Sequence, residues 1–412
     1  MSLLPIDEAL ARLLDKVAPL ASEEIPLSQG LGRVLARPIF AQLDHPRADN
    51  SAMDGFALRA EDGLQPRRLL GQSAAGHPGD LLVGPGDAVR IFTGGVLPQG
   101  ADSVLIQEDA QWDEEFCRPQ VEPRVGAHIR RQAEDFGVGD LLFDSGQQIR
   151  AMDFAVLASQ GITHLTVHQR PSFAVVATGD ELVAPGQQLA PGQIYESNSL
   201  MVAGQAQEAG GRQQESLIVP DDPEQTRAVL RRLKACCDLV IFCGGASVGD
   251  HDHVVSCLQA EAEEGLEFYR VKMKPGKPVA AARLGRCIVL CLPGNPASSA
   301  VAFEQFVRPC LRRFQGDGRP HRRLEKQWLS GTISGPQKRC RFLRAKRQGN
   351  GRVAPFLKQG SGMLSSLAGV DGLIMIPAGT PSLSDGDAVA FQALDGPGDA
   401  RPPEAQWRAL FP

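Results

Sequence analysis

No apolar run in this 412-residue chain approaches the length needed to cross a bilayer, so a membrane-spanning helix is excluded. The opening stretch, MSLLPIDEALARLLDKV, mixes charge and apolar residues at helical spacing and has neither a signal-peptide core nor a small-residue cleavage site. A net charge of -5 gives no basic field to draw the protein onto nucleic acid. Aromatic residues make up only 5% of the chain, which leaves little for base-stacking platforms. The nine cysteines contain no C-x-x-C pair. Cys287 and Cys291, in RCIVLCLPG, share one face of an expected strand and read as buried thiols rather than zinc ligands. These features point to a reducing, cytoplasmic setting with no membrane and no nucleic-acid partner.

What is present is ordinary globular composition, 42% hydrophobic and 22% charged, in a chain too long for one core. Ile6, Leu10, Leu13, Leu14 and Val17 form the stripe of a first helix. After Pro46 the texture becomes short alternating runs between glycines and prolines. The span AQWDEEFCRPQVEPRVGAH reads as turn-rich and exposed. From Arg170, strands alternate with helices: FAVVAT, ESLIVP, DLVIF, LEFYRVKM, KPVAAARL and CIVLCLPG. QGDGRPHRR reads as a linker, and short strands resume beyond it. The expected fold class is α/β multidomain, with a central, doubly wound, mainly parallel α/β domain. The expected domains are 1–45 with 133–169 (elongated, dimerising), 46–132 (small, β-rich, inserted), 170–316 (α/β) and 317–412 (β-barrel-like).

Open α/β sheets bind ligands at the carboxyl ends of their strands. Three such ends are chemically loaded. ATGDEL presents Thr178, Gly179, Asp180 and Glu181. CGGASVGDHDHV offers Gly244, Gly245, Ser247 and Gly249 before a helix expected near Asp252. CLPGNPASS offers Pro293, Gly294, Asn295 and Pro296, with Asn295 placed to cap the following helix. Free backbone N–H groups and helix N-termini suit an anion. The spacing fits neither a dinucleotide fingerprint nor a P-loop. In KMKPGKP, Lys274 and Lys277 bracket a turn, and Arg270 sits on the strand face of Lys272 and Lys274. Carboxylates beside an anion cradle repel the substrate unless a cation intervenes. Glu181, Asp221 and Asp252 therefore suggest Mg²⁺, or another divalent cation, bridging to phosphate oxygens.

Simpler readings stand beside these. Asp222 and Asp252 serve equally as N-caps, Lys274 and Lys277 as a solvated turn, and Asp54 and Thr93 as turn residues. Arg339, Arg341, Arg344, Lys346 and Arg347 read as a solvated strand face. Cys243, His251 and His253 fit zinc poorly, because the histidines enter a helix on different faces.

DNSAMDGFA, IFTGG, AEDF, TGDEL, GGASVGD, KMKPGKP and LPGNPAS occur in one order that resembles the molybdopterin molybdenumtransferases, bacterial MoeA and the E domain of gephyrin. The resemblance covers almost the whole chain. It implies hydrolysis of adenylylated molybdopterin, insertion of molybdate into its dithiolene, release of AMP and a divalent-cation requirement. It also implies a homodimer, with the adenylyltransferase of the preceding step and molybdoenzyme apoproteins as further partners. By this resemblance Asp54, Thr93, Asp135, Glu181, Asp221, Asp252, Arg270, Lys274 and Lys277 are catalytic positions. Arg344 and Ser361 join the substrate-binding set. The other readings are a cofactor carrier or scaffold of the gephyrin type and a pyrophosphatase or amidohydrolase of the competence-damage type. Ala246 stands where the family usually has valine, and AEDF where it usually has GEDI.

Overall fold

A computed structural model describes residues 3–245, 253–396 and 398–411. The chain forms two compact units. One comprises the chain up to Arg37, Ser145–Phe154 and Thr163 onward; the other comprises Pro38–Asp144 and Ala155–Ile162.

The larger unit is built on a six-stranded sheet. In chain order its parts are α1 (Ile6–Asp15), β1 (Ser172–Thr178), α2 (Asn198–Glu208), β2 (Arg212–Val219), α3 (Pro223–Leu233) and β3 (Leu239–Cys243). Then follow α4 (His253–Glu261), β4 (Leu266–Tyr269), the short β5 (Met273–Lys274), β6 (Ala280–Leu284), β7 (Cys287–Leu292) and α5 (Pro296–Ala302). The sheet order is β2-β1-β3-β7-β6-β4, with β5 outside it. The first four strands run parallel, and β6 and β4 are antiparallel. Alternation along each strand divides the core. Phe173, Val175, Leu239, Ile241, Ile288 and Leu290 join the cluster containing α1, α2 and α5. Ala174, Val176, Val240, Phe242 and Val289 join the one containing α3 and α4. Helices therefore cover both faces, as the buried, β-rich strand runs require. Cys287 and Cys291 lie fully buried on the second face, packed as thiols. Burial of Ile6, Leu10 and Leu13 secures α1, at roughly 1.5–3 kcal/mol per side chain.

A second sheet closes on itself. Strands β8 (Leu324–Leu329), β9 (Cys340–Arg347), β10 (Arg352–Pro355), β11 (Gly372–Ile376) and β12 (Ala388–Ala393) follow the cyclic order β9-β10-β8-β12-β11 and back to β9. This is a five-stranded barrel, with Leu343, Ala345, Val353, Ile374 and Phe391 inside. Phe342, Leu373, Met375 and Ala390 point the other way, into the cluster that holds α1 and α5.

The smaller unit carries another six-stranded sheet, ordered Ser103–Ile106, Gly55–Leu58, Asp87–Ile91, Arg67–Ser73, Phe116–Pro119 and Ala110–Trp112. Its last pair corrects the turn-rich reading of 110–128. Ala110–Trp112 and Phe116–Pro119 form an antiparallel hairpin, with the Asp113 carboxylate accepting from the Glu115 and Phe116 N–H groups at the turn. Cys117, fully buried, anchors it.

Two further sequence expectations need correction. Arg270 takes a left-handed φ of 66°, which breaks the strand alternation assumed for Arg270, Lys272 and Lys274. The 315–323 stretch is not a loose linker. Gln315, Asp317 and His321 are buried, and Asp317 holds Arg312 at 2.7 Å with both side chains under a tenth exposed. Burial also pushes the His321 imidazole down to about 4, so it stays neutral near pH 7. Removing one partner of a buried ion pair costs about 3–5 kcal/mol. Asp317→Ala should therefore lower unfolding stability in urea by about that amount. A change no larger than that of an exposed surface substitution would contradict the buried-pair reading.

Candidate active site

Four parallel strands end on one edge of the sheet, at Thr178, Val219, Cys243 and Leu292. The loops that leave them are tied together. The Gly179 N–H donates to the Val219 carbonyl, and the Gly244 N–H donates to the Leu292 carbonyl. Gly244 (φ 113°) and Gly245 (φ 63°) hold positive-φ turns with no room for a side chain. A Cβ at Gly244 would meet the Thr178 carbonyl oxygen and Oγ at 2.9 Å, and one at Gly245 would strike Val254. The glycines let two strand ends close against each other. Thr178 Oγ1 is buried beside them without a hydrogen-bond partner among the described residues. Ser247, Gly249, Asp250, His251 and Asp252, in the rest of this loop, lie outside the described residues.

The acidic side of this edge is crowded. The Asp221 N–H donates to Asp180 Oδ1 at 3.1 Å. Burial, then the charges of Asp180 and Glu181, raise the Asp221 carboxyl above the usual carboxylate range, and His253 partly offsets them. Glu181 folds back over Gly179, where a Cβ would meet its carboxylate at 2.5 Å. Among the described residues no three His, Cys, Asp or Glu side chains form a preformed metal cluster. The donors are nevertheless hard oxygens in mutual repulsion. That set fits a cation such as Mg²⁺, which keeps waters and takes substrate phosphate oxygens to complete its shell. Zinc is not supported by Cys243, which is buried at the end of β3. Asp222 is an N-cap, its Oδ1 accepting from the Gln225 N–H at 2.7 Å.

The basic side is a cavity of about 490 Å³ between the sheet edge and the barrel. Lys274, Lys277, Arg339 and Arg341 line it with Asn295, Ser298 and Ser361, and no carboxylate among the described residues does. The parallel pairing of β5 with β9 sets Lys274 beside Arg341 and Met273 beside Cys340. Arg339 donates to the Met273 carbonyl at 3.3 Å, which fixes it at the same seam. The loop before α5 is braced from two sides. Asn198 Nδ2 donates to the Gly294 carbonyl at 2.6 Å, and the Ala297 N–H donates to the Ser361 carbonyl at 3.0 Å. Asn295 occupies the N-cap position without a side-chain cap; its backbone carbonyl accepts from the Ser298 and Ser299 N–H groups. Pro296 opens the helix. Four cations in a concave site without a counter-charge favour an oxyanion.

The remaining sequence candidates fall elsewhere. Arg270 is stacked on its neighbour Tyr269, 4.9 Å from the ring, and does not line the basic cavity. Arg344 is buried under the barrel loop, not solvated. It donates to Ser366 Oγ and to the carbonyls of Lys358 and Gly360, so it positions the loop carrying Ser361. Arg339 and Arg341 take the cavity-lining place. Period-two alternation in RCRFLR puts them on one face and Arg344 on the other, a signal that a reading of the run as one basic face overlooks. In the smaller unit, Asp54 Oδ1 accepts from the Thr93 N–H at 2.7 Å and from Thr93 Oγ1 at 2.8 Å. These bonds hold the half-buried Asp54 carboxyl below its ordinary range. Asp135 is exposed there, its N–H bonded to the His45 carbonyl.

Residues 4–161 match the MoeA N-terminal region (domain I and II), 174–313 a probable molybdopterin binding domain, and 329–394 the MoeA C-terminal region (domain IV). A molybdopterin molybdenumtransferase 2 of Mycobacterium tuberculosis is 36% identical over 367 residues, covering 86% of this chain and 90% of that protein. The molybdopterin molybdenumtransferase of a Nostoc species is 34% identical over 395 residues, covering 90% and 89%. The solved structure of a molybdopterin biosynthesis MoeA protein from Pyrococcus horikoshii is 30% identical with a TM-score of 0.79, covering 96% of this chain and all of that one.

If the basic cavity is the oxyanion site, Lys274→Ala and Arg341→Ala should each weaken molybdate binding about tenfold or more, measured by calorimetry. Arg270→Ala should leave it within about twofold, because that guanidinium lies outside the cavity. Equal losses in all three would contradict this placement.

Proposed function

This chain belongs to the molybdopterin molybdenumtransferase family of molybdenum cofactor biosynthesis, and from that premise we propose how its sheet edge divides the reaction. Molybdate is the inorganic substrate, and it occupies the basic cavity. There Lys274, Lys277, Arg339 and Arg341 neutralise it, while Ser298 and Ser361 offer hydroxyls. Adenylylated molybdopterin lies along the glycine loops at 244–245 and 294, its phosphates close to backbone that no side chain shields. Water opens the phosphoanhydride, the P–O bond breaks and AMP leaves. The dithiolene of the substrate, as its dithiol, then binds molybdenum through both sulfurs, and its two thiol protons leave with one displaced oxide as water. The carrying observation is the segregation of charge: acids at the ends of β1 and β2, uncompensated cations at the seam of β5 and β9.

Glu181 and Asp221, with Asp252, are the proposed holders of Mg²⁺. The cation would offset the phosphate charge beside these acids. What the chain itself does is keep Asp221 strained. Burial first, then the charges of Asp180 and Glu181, favour its protonated form, so lowering the pH through its raised pKa stabilises the fold at this group. A divalent cation competes with that proton. Cation binding should therefore weaken as pH falls through the raised Asp221 range and should release a proton there. Homodimerisation, a cytoplasmic setting, and hand-over from an adenylyltransferase and to molybdoenzyme apoproteins are part of the same proposal. A carrier without turnover would have no use for both an acidic and a basic half-site.

Purified protein incubated with adenylylated molybdopterin, Mg²⁺ and molybdate should release AMP and yield active cofactor. Substrate that stays intact and bound would sink the enzyme reading in favour of a carrier. Asp221→Asn should lower turnover about a hundredfold, while substrate affinity changes less than about tenfold. A titration of Mg²⁺ binding against pH should lose its proton release in that variant. A proton release that persists would show that Asp221 is not the group responsible.

A further inference from the structure

Four consecutive carbonyls follow one another out of β7, and each is held. The Leu292 carbonyl accepts from the Gly244 N–H, and the Pro293 carbonyl accepts from Ser299 Oγ. The Gly294 carbonyl accepts from Asn198 Nδ2 at 2.6 Å, and the Asn295 carbonyl accepts from the Ser298 and Ser299 N–H groups. Most of these donors belong to the neighbouring strand end or to the first turn of α5. Asn198 instead opens α2, far away in sequence.

The Asn198 amide fits only one way round, because Oδ1 in place of Nδ2 would set two acceptors face to face. Oδ1 is buried without a partner among the described residues, so the bond to Gly294 is what this position gains from an amide. The start of α2 is itself placed by the acidic loop. Leu182–Val183 pairs in parallel with Ile194–Tyr195, and the Ile194 N–H donates to the Glu181 carbonyl at 2.9 Å. The buried Glu196 carboxylate then accepts from the Ser199 N–H at 2.7 Å and from Ser199 Oγ. The segment that begins at Glu181 thus fixes α2, and α2 fixes the Gly294 carbonyl.

A trans peptide is planar, so the Asn295 N–H points opposite to the Gly294 carbonyl, away from Asn198. Both residues are exposed, and neither N–H donates to an acceptor among the described residues. Glycine at 294 would make the reverse arrangement easy, since a flip of the Gly294–Asn295 peptide meets no Cβ there. We propose, resting on the placement of adenylylated molybdopterin along the glycine loops, that Asn198 is a positioning residue for phosphate recognition. It holds the Gly294–Asn295 peptide with its N–H outward, so that a substrate phosphate meets a donor and not a carbonyl. Molybdate depends on other bonds, because the pairing of β5 with β9 sets Lys274 and Arg341.

The test compares affinities, measured by calorimetry on the full-length chain, with AMP release followed separately. Asn198→Ala should bind adenylylated molybdopterin about tenfold more weakly, with molybdate affinity within about twofold of wild type. Asn198→Asp keeps the shape and removes the donor, so at neutral pH it should lose at least as much. Its deficit against wild type at the same pH should shrink as pH falls through the carboxyl range, because a protonated carboxyl donates to the Gly294 carbonyl. A side chain that only fills space would show no deficit in this isosteric variant. Wild-type substrate affinity in Asn198→Ala, equal losses for substrate and molybdate, or a pH-independent deficit in Asn198→Asp would each overturn the assignment. Wild-type protein that binds substrate without releasing AMP would sink the enzyme reading alone, and the affinities would still decide the role of Asn198. Wild-type protein that binds no substrate would overturn both.

Discussion

Two residues of parallel ladder carry the basic half of the site. Met273 and Lys274 pair with Cys340 and Arg341, and this short seam joins the α/β sheet to the barrel. The pairing has three consequences. It sets Lys274 beside Arg341, it gives Arg339 a carbonyl on which to rest, and it closes one wall of the basic cavity. The neighbouring core supports the seam. Met273, Cys340 and Phe342 are buried in the same cluster as α1 and α5. Among the described residues these cations are held by backbone pairing and packing rather than by acidic partners.

The opposite half depends on the parallel order of the strands. Because β2, β1, β3 and β7 all run one way, their loops meet on one edge. Glycines at 244 and 245 allow the closest approach, and Thr178 sits directly against them. At the ends of β1 and β2, burial first and then the charges of Asp180 and Glu181 raise the Asp221 carboxyl. Crowding of this kind persists only while the sheet holds the loops in place. The larger unit therefore offers two half-sites of opposite sign on one scaffold.

Much of this was legible in the sequence, for identifiable reasons. Buried strand runs such as FAVVAT and DLVIF fixed the sheet, and their ends marked the loops that carry Glu181, Asp221, Gly244 and Gly294. Lys274 and Lys277 were found because a Pro-Gly turn between two lysines is conspicuous. Arg339 and Arg341 were harder to find. Their place depends on pairing with a two-residue strand far away in sequence, and local pattern carries no trace of that partner. Arg344 was misjudged for the same reason. Its burial comes from the 358–366 loop folding over it, a tertiary event. Arg270 failed on backbone grounds, since a left-handed residue interrupts the alternation that strand reasoning assumes. The 315–323 stretch looked like a linker by composition, yet a buried Arg312–Asp317 pair and the burial of His321 make it part of the core.

The central claim is that the oxyanion is held at the seam between sheet and barrel. Anomalous diffraction at the molybdenum edge, from crystals of this protein grown with molybdate, tests it most directly. One peak is expected within hydrogen-bonding reach of Lys274, Lys277, Arg341 and Ser361, and it should be lost in Arg341→Ala. A peak at the acidic loops around Glu181 and Asp221, or none within the basic cavity at saturating molybdate, would contradict the assignment.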